Sequence, residues 1–131
     1  MSATTNSFEN ETKIINSKME EAINLLCDSS WEGSISIRTL IDYKDEQTLE
    51  GKYTLKLSSS KTTEFKGEDT FEKESHEVSF SLYFEMEKIF VEFSSGENVS
   101  MNGIFNMKNK SISGIAKTFD GASGTFSIQM K

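Results

Sequence analysis

The feature that most constrains the fold is an alternation of apolar and polar residues that begins at Trp31 and recurs to the end of the chain. Successive side chains of a β-strand point to opposite faces, so such an alternation predicts a strand with one buried face. We therefore predict that residues 31–131 form strands that each turn one face to a core. The alternation is strictest in one segment, where apolar residues occupy every second position: Val78, Phe80, Leu82, Phe84 and Met86.

Short polar segments such as "KDEQ" (44–47) and "KNK" (108–110) divide the alternating region into about eight strands. Links this short favour an antiparallel meander in which each strand pairs with the next. Asn102-Gly103, a dipeptide that favours hairpin turns, is assigned to a strand because "SGEN" supplies a turn just before it.

Glycines support closure of this sheet into a barrel. A missing side chain on the apolar face lets a coiled strand bend or a neighbouring ring lie close, and a barrel needs such bending. Gly121 and Gly124 flank a turn and are predicted to supply positive φ. The predicted fold is mainly β, an antiparallel up-and-down β-barrel of about eight strands with an N-terminal α-helix. The strand glycines on the apolar face are Gly33, Gly51, Gly67, Gly103 and Gly114.

A different period precedes Trp31. Asn6 and Glu9 resemble a capping box that opens a helix, and apolar residues follow at helical spacing. We predict a disordered segment at 1–6 and a single domain at 7–131, which contains a helix at 7–27 and the barrel at 31–131. The helix is predicted to pack on the barrel or close one end, because a helix of this length is marginal alone. Its apolar residues are Phe8, Ile15, Met19, Ala22, Ile23 and Leu26.

Charge narrows the range of partners. The chain has 21 Asp and Glu against 14 Lys and Arg, a net charge of −7, and its lysines are scattered. Nucleic acid is therefore not an expected partner. No apolar run reaches the ~18 residues of a membrane-spanning helix, and no secretion signal opens the chain, so a cytoplasmic location is expected. Cys27 is the only cysteine, which excludes an intrachain disulfide.

The densest charged segment is "KGEDTFEKESHE" at 66–77, and it contains His76, the only histidine. Its like charges predict an exposed connection that extends beyond the barrel, with His76 as a loop residue. The spacing of its acids matches no calcium-binding loop, so we interpret them as solvated. These acids are Glu68, Asp69, Glu72, Glu74 and Glu77.

No recognised catalytic or phosphate-binding motif occurs in the chain. It lacks a G-x-S-x-G elbow, and its glycines are spread one to a strand instead of gathered in a loop. A non-catalytic protein without metal or cofactor is therefore favoured. The alternative is an enzyme that uses an inward Tyr, Glu or Asp, because one carboxyl group in an apolar cavity can transfer protons.

The chain resembles the calycin-type small barrels, the lipocalin and fatty-acid-binding group and their bacterial relatives. The resemblance rests on a helical segment that leads into "WEG" (31–33), the meandering strands with inward glycines, and a final "GTFSIQMK" (124–131). It covers about residues 27–131 and concerns architecture. The lipocalin glycine lies two positions before the tryptophan, whereas here Gly33 lies two positions after Trp31. The resemblance implies a closed barrel that could hold an interior ligand.

The first functional hypothesis is a non-catalytic binding protein that holds a small apolar or amphipathic ligand inside the barrel. Ten Phe and six Met would provide apolar and adaptable surface. Barrels of this size are either filled by side chains or leave room for one small ligand, and the sequence is compatible with both. Tyr43 or Tyr53 would supply a polar group. The candidate ligand-binding residues are Tyr43, Tyr53, Phe65, Phe80, Phe84, Met101 and Phe105.

The second hypothesis is a protein-interaction module, such as an inhibitor, an immunity protein or an assembly factor. Its acidic barrel surface would attract a basic partner by electrostatic steering. Under either hypothesis Trp31 is predicted to be structural, because it lies between the helix and the first strand and can anchor one to the other.

Overall fold

The computed structural model describes residues 17–41, 45–71, 73–96, 99–119 and 121–131. Within these ranges one helix, α1 (17–26), precedes the strands. Predictions for residues 1–16 and Tyr43 fall outside the described residues. Eight strands follow within the described ranges: β1 (Ser30–Ile41), β2 (Asp45–Leu57), β3 (Glu64–Phe71), β4 (Glu74–Glu85), β5 (Lys88–Ser95), β6 (Val99–Asn106), β7 (Ser111–Thr118) and β8 (Ser123–Met130).

The strands form one closed antiparallel barrel. Each strand pairs with its neighbours in the sequence, and β8 also pairs with β1, where Gly33 lies opposite Ile128. The predicted fold class, an eight-stranded up-and-down barrel with an N-terminal helix, is confirmed. Gly103 lies inside β6, as the sequence predicted, and a Cβ atom there would lie 2.9 Å from Cζ of Phe126. The bare backbone at this position therefore makes room for a core ring.

Inward-facing side chains of the described strands form a buried core. In β4, Val78, Phe80 and Leu82 are buried while the residues between them face outward. No hydrophobic side chain of the described core is more than 4 % exposed. A void large enough for water would leave accessible surface on the side chains around it, so the interior is packed where these residues lie.

The helix α1 covers one end of the barrel, the end formed by the β2–β3, β4–β5 and β6–β7 connections, which we call the helix end. Ala22 and Leu26 are fully buried in the core. The thiol of Cys27, directly after α1, lies 3.2 Å from the carbonyl oxygen of Ser60 in the β2–β3 connection. At the other end of α1, the ammonium group of Lys18 lies 6.0 Å from the ring centroid of Phe84. We call the opposite end of the barrel the far end.

Trp31 joins α1 to the barrel core. Its side chain is fully buried, and its ring meets Phe105 edge to face with centroids 5.7 Å apart. Its Nε1 donates a hydrogen bond to Oγ of Ser29 at 2.8 Å, and that hydroxyl donates to the carbonyl oxygen of Leu26 at 2.7 Å. The last turn of the helix is thus tied to the first strand through one serine.

The prediction of an exposed connection at 66–77 is wrong. This segment forms most of β3 and the start of β4, and β3 pairs with β2 on its other side. His76 consequently lies in a strand. The reason is that alternation continues through the charged segment, which places Glu68 and Glu77 on the outer face and Asp69 on the inner face. Charged side chains on the outer face of a strand are exposed to water, just as they are in a loop.

Two smaller predictions are also wrong. Met86 is 77 % exposed and does not extend the alternation of β4, because Met86 and Glu87 form the turn to β5 with φ angles of 49° and 64°. Positive φ at both central residues is typical of the tight turns that suit twisted strands. Gly124 lies in β8 opposite Ile37 and is not at positive φ, unlike Gly121 at 96°.

Trp31→Ala is expected to lower the free energy of unfolding by about 3–5 kcal/mol, because it removes a large core ring and the donor that holds Ser29. Urea unfolding followed by circular dichroism measures the change. Ser29→Ala is the matched variant and should cost about 1 kcal/mol, since it breaks the polar link and leaves the ring in place. A loss below ~1 kcal/mol for Trp31→Ala would show that the ring is not a structural anchor.

Candidate functional site

Two polar residues face the inside of the barrel near the far end. Phe65, Asp69 and Phe71 share the inner face of β3, and Asp69 is only 1 % exposed. On β4 the inner face carries His76 and then Val78. Asp69 and His76 lie directly opposite each other in the register of the two strands. Strand pairing therefore brings a buried carboxylate and the single histidine together.

Tyr53 on β2 completes this group, which we call the polar cluster (Tyr53, Asp69 and His76). Its hydroxyl donates a hydrogen bond of 2.6 Å to Oδ2 of Asp69, and its side chain is fully buried. Burial, followed by the negative charge of Asp69 and the hydrogen bond to it, raises the pKa of Tyr53 far above its usual value. The hydroxyl thus stays protonated and serves as a permanent donor.

The second oxygen of Asp69 has no hydrogen-bond donor among the described residues. Oδ1 of Asp69 and Nδ1 of His76 are both buried, and neither has a hydrogen-bond partner among the residues that the structure describes. These two atoms lie 3.5 Å apart, close enough for electrostatic attraction but too far for a good hydrogen bond. Buried polar atoms are nearly always paired, so Oδ1 of Asp69 has unused capacity to accept a hydrogen bond from one more donor.

His76 links this interior group to the solvent. Its side chain is 33 % exposed, and its Nε2 lies 3.7 Å from Oε2 of the exposed Glu74. The ring packs on Gly96, which has a φ of 64°, and a Cβ atom there would lie 2.8 Å from Cδ2 of His76. The imidazole therefore meets solvent on one side while it faces Asp69 on the other.

The structure places most of the predicted ligand-binding residues in the packed core. The rings of Tyr53 and Phe93 lie 6.4 Å apart, those of Phe93 and Phe80 5.2 Å, and those of Phe80 and Phe65 6.1 Å. Phe84 is half-buried at the helix end. Of the predicted residues that the structure describes, Tyr53 belongs to the polar cluster, and contact of the others with a ligand stays a prediction. The fully or almost fully buried ones are Tyr53, Phe65, Phe80, Met101 and Phe105.

Sequence reasoning missed Asp69 and His76, although the signal was present. Steps of two residues from Phe65 lead to Asp69, and steps of two back from Phe80 lead to His76. The acidic composition of the segment favoured a loop and outweighed the alternation. The burial of these residues is a consequence of the same period that predicted the strands.

Tyr53→Phe is expected to lower the free energy of unfolding by about 1–3 kcal/mol, because it leaves Oδ2 of Asp69 buried without a donor. Urea unfolding measures this loss. In an Asp69→Leu background, where the acceptor is gone, the same change should cost close to nothing. Equal costs in the two backgrounds would contradict a contribution from this hydrogen bond.

Within the described ranges, no three His, Cys, Asp or Glu side chains gather as metal ligands, and no helix has the length and apolar character needed to cross a membrane. No protein-family model matches the chain, and no curated protein matches it in sequence.

Proposed function

We propose that this chain is a non-catalytic binding protein that takes a small amphipathic molecule at the far end of the barrel. The observation that carries the proposal is the buried Oδ1 of Asp69, which faces the interior and is unpaired within the described part of the chain. Ligand sites commonly combine an apolar surface with a few polar groups that set orientation. Asp69 and His76 supply such groups beside the aromatic core.

The chemistry of the polar cluster defines the polar end of the ligand. A carboxylate oxygen accepts hydrogen bonds, so the ligand has to bring a donor, either an ammonium or a hydroxyl group. An ammonium group also offsets the cost of a buried negative charge, which favours an amine over an alcohol. A carboxylate would be repelled by Asp69.

The apolar part of the ligand fits the surroundings of the polar cluster. Phe71, Val99 and Ala122 lie toward the far end and are partly buried against the core. The ring of Phe71 lies 6.5 Å from that of Tyr53, so an apolar chain bound here would remain close to the polar cluster. We expect the buried rings of Phe65 and Phe80 to form the packed layer beneath the ligand.

Three amphiphiles with the same alkyl chain test the proposal: dodecylamine, dodecanol and dodecanoic acid. Isothermal titration calorimetry below their micelle concentrations should give the affinity order amine, alcohol, acid. Asp69→Asn should reduce the preference for the amine over the alcohol about tenfold, because it removes the charge and keeps the shape. The matched control is Glu92→Gln, which neutralises an exposed carboxylate on the outer face of β5.

Two results would contradict the proposal. One is the absence of binding by all three amphiphiles. The other is an unchanged amine preference in Asp69→Asn, which would place the bound amine elsewhere.

A second candidate function, binding of a basic protein, is favoured by one feature of the outer face. Glu68 and Glu77 lie directly opposite each other on β3 and β4, and like charges in such positions destabilise a sheet. A cationic side chain from a partner would relieve this repulsion. The two glutamates line a surface groove of about 1000 Å³ that also contains Lys56 and Lys66, and Lys56 lies opposite Glu68 in the register of β2 and β3.

Glu77→Lys tests this candidate. The change should stabilise the fold by about 0.2–1 kcal/mol, because Glu68 then faces an opposite charge, and it should weaken binding of an oligolysine peptide. Chemical unfolding and fluorescence anisotropy at low and high salt measure the two effects. Glu92→Lys, with the same charge change on β5, is the control. Equal weakening of peptide binding by both variants would show an effect of net charge alone.

A further inference from the structure

The outer face of the barrel carries a row of apolar side chains across four strands, which we call the outer strip (Tyr83, Phe90, Ile104 and Ile115). Tyr83 lies opposite Phe90, and Phe90 lies opposite Ile104. Ile115 on β7 lies one outward position further along the sheet, opposite Asn102. The rings of Tyr83 and Phe90 are stacked, with centroids 5.3 Å apart and planes at 13°.

The outer strip leaves apolar surface in contact with solvent. Tyr83 and Ile104 are each 38 % exposed, and Ile115 is 51 % exposed. On the other side of the barrel, the outer faces of β1 and β8 carry small polar residues such as Ser34 and Ser127. Contiguous exposed apolar surface of this kind favours packing against a partner.

The geometry of the barrel limits how a partner can bind here. β4, β5, β6 and β7, the strands that carry the outer strip, each pair with a neighbour on both sides, so none of them is an edge strand to which another strand could add. A partner has to pack on the face of the sheet, as one sheet packs on another in a β-sandwich.

The charges around the outer strip favour a second copy of the chain over a basic partner. The surrounding outward positions carry two glutamates, Glu85 and Glu92, and two lysines, Lys88 and Lys117. The chain as a whole has a net charge of −7, so two copies repel least where the local charge is balanced. In a two-fold symmetric contact, each acid of one copy can approach a lysine of the other.

We propose that this protein forms a two-fold symmetric homodimer through the outer strip, with the β4–β7 sheets of the two barrels packed face to face. Tyr83 and Phe90 provide the aromatic surface, and the isoleucines extend it across the neighbouring strands. The contact leaves the far end of each barrel uncovered, so it is independent of ligand binding at the polar cluster.

Sedimentation equilibrium of the full chain from micromolar to millimolar concentration tests the dimer. The wild-type chain should dimerise within this range. Ile104→Glu and Ile115→Glu should raise the dissociation constant by at least about tenfold, because each puts a charge into the apolar surface of the contact. The matched control is Phe119→Glu, at a side chain that is 82 % exposed in the turn after β7 and outside the outer strip. It should leave the dissociation constant unchanged.

Ser113→Arg tests the dimer with a variant that is not expected to impair folding. Ser113 is exposed and lies opposite Ile104, so arginine adds bulk and charge beside the outer strip without replacing an apolar side chain. It should weaken the dimer as the isoleucine variants do. A wild-type chain that stays monomeric at millimolar concentration would overturn the proposal. So would a dimer that none of the folded outer-strip variants weakens, or that Phe119→Glu weakens equally.

Discussion

Pairing between β8 and β1 is the constraint on which the rest of the structure depends. Closure gives every strand two neighbours, so a shift of one strand by one residue would turn all its side chains to the wrong face. The inward and outward sets are therefore fixed for the whole sheet at once. Asp69 and His76 stay inside because Phe65 and Phe80 on the same strands must stay inside. The register that buries the core also holds the polar cluster together.

The sequence predicted the parts of the fold that local periodicity determines. Alternation predicted the strands and their buried faces, and helical spacing predicted α1. It failed at 66–77, where charged residues suggested a loop although the alternation continued. Composition indicates how polar a segment is, and so how much of it is exposed to water. A strand whose outer face carries Glu and Lys exposes these side chains to water as a loop does. Only pairing with β2 and β4 distinguishes the two.

The candidate site was less predictable because its members come from three strands. Tyr53 was recognised as a polar group on an apolar face, but its hydrogen bond to Asp69 depends on the register between β2 and β3. Packing of the aromatic core depends on how side-chain volumes fill the barrel cross-section. The spacing of apolar residues in the sequence does not determine this. The outer strip left a trace in the sequence, since "LYF" and "IFV" carry apolar residues on both faces of their strands.

The link from Trp31 through Ser29 to Leu26 gives the molecule a built-in optical reporter. Trp31 is the only tryptophan, so all indole fluorescence comes from the junction of α1 and the barrel. Its buried ring should emit at short wavelength, and detachment of the helix would expose it and shift the emission to the red. If α1 separates before the sheet opens, the emission changes before the β-sheet circular dichroism signal. The order of the two signals then distinguishes a barrel that unfolds as one unit from one that first loses the helix at its end.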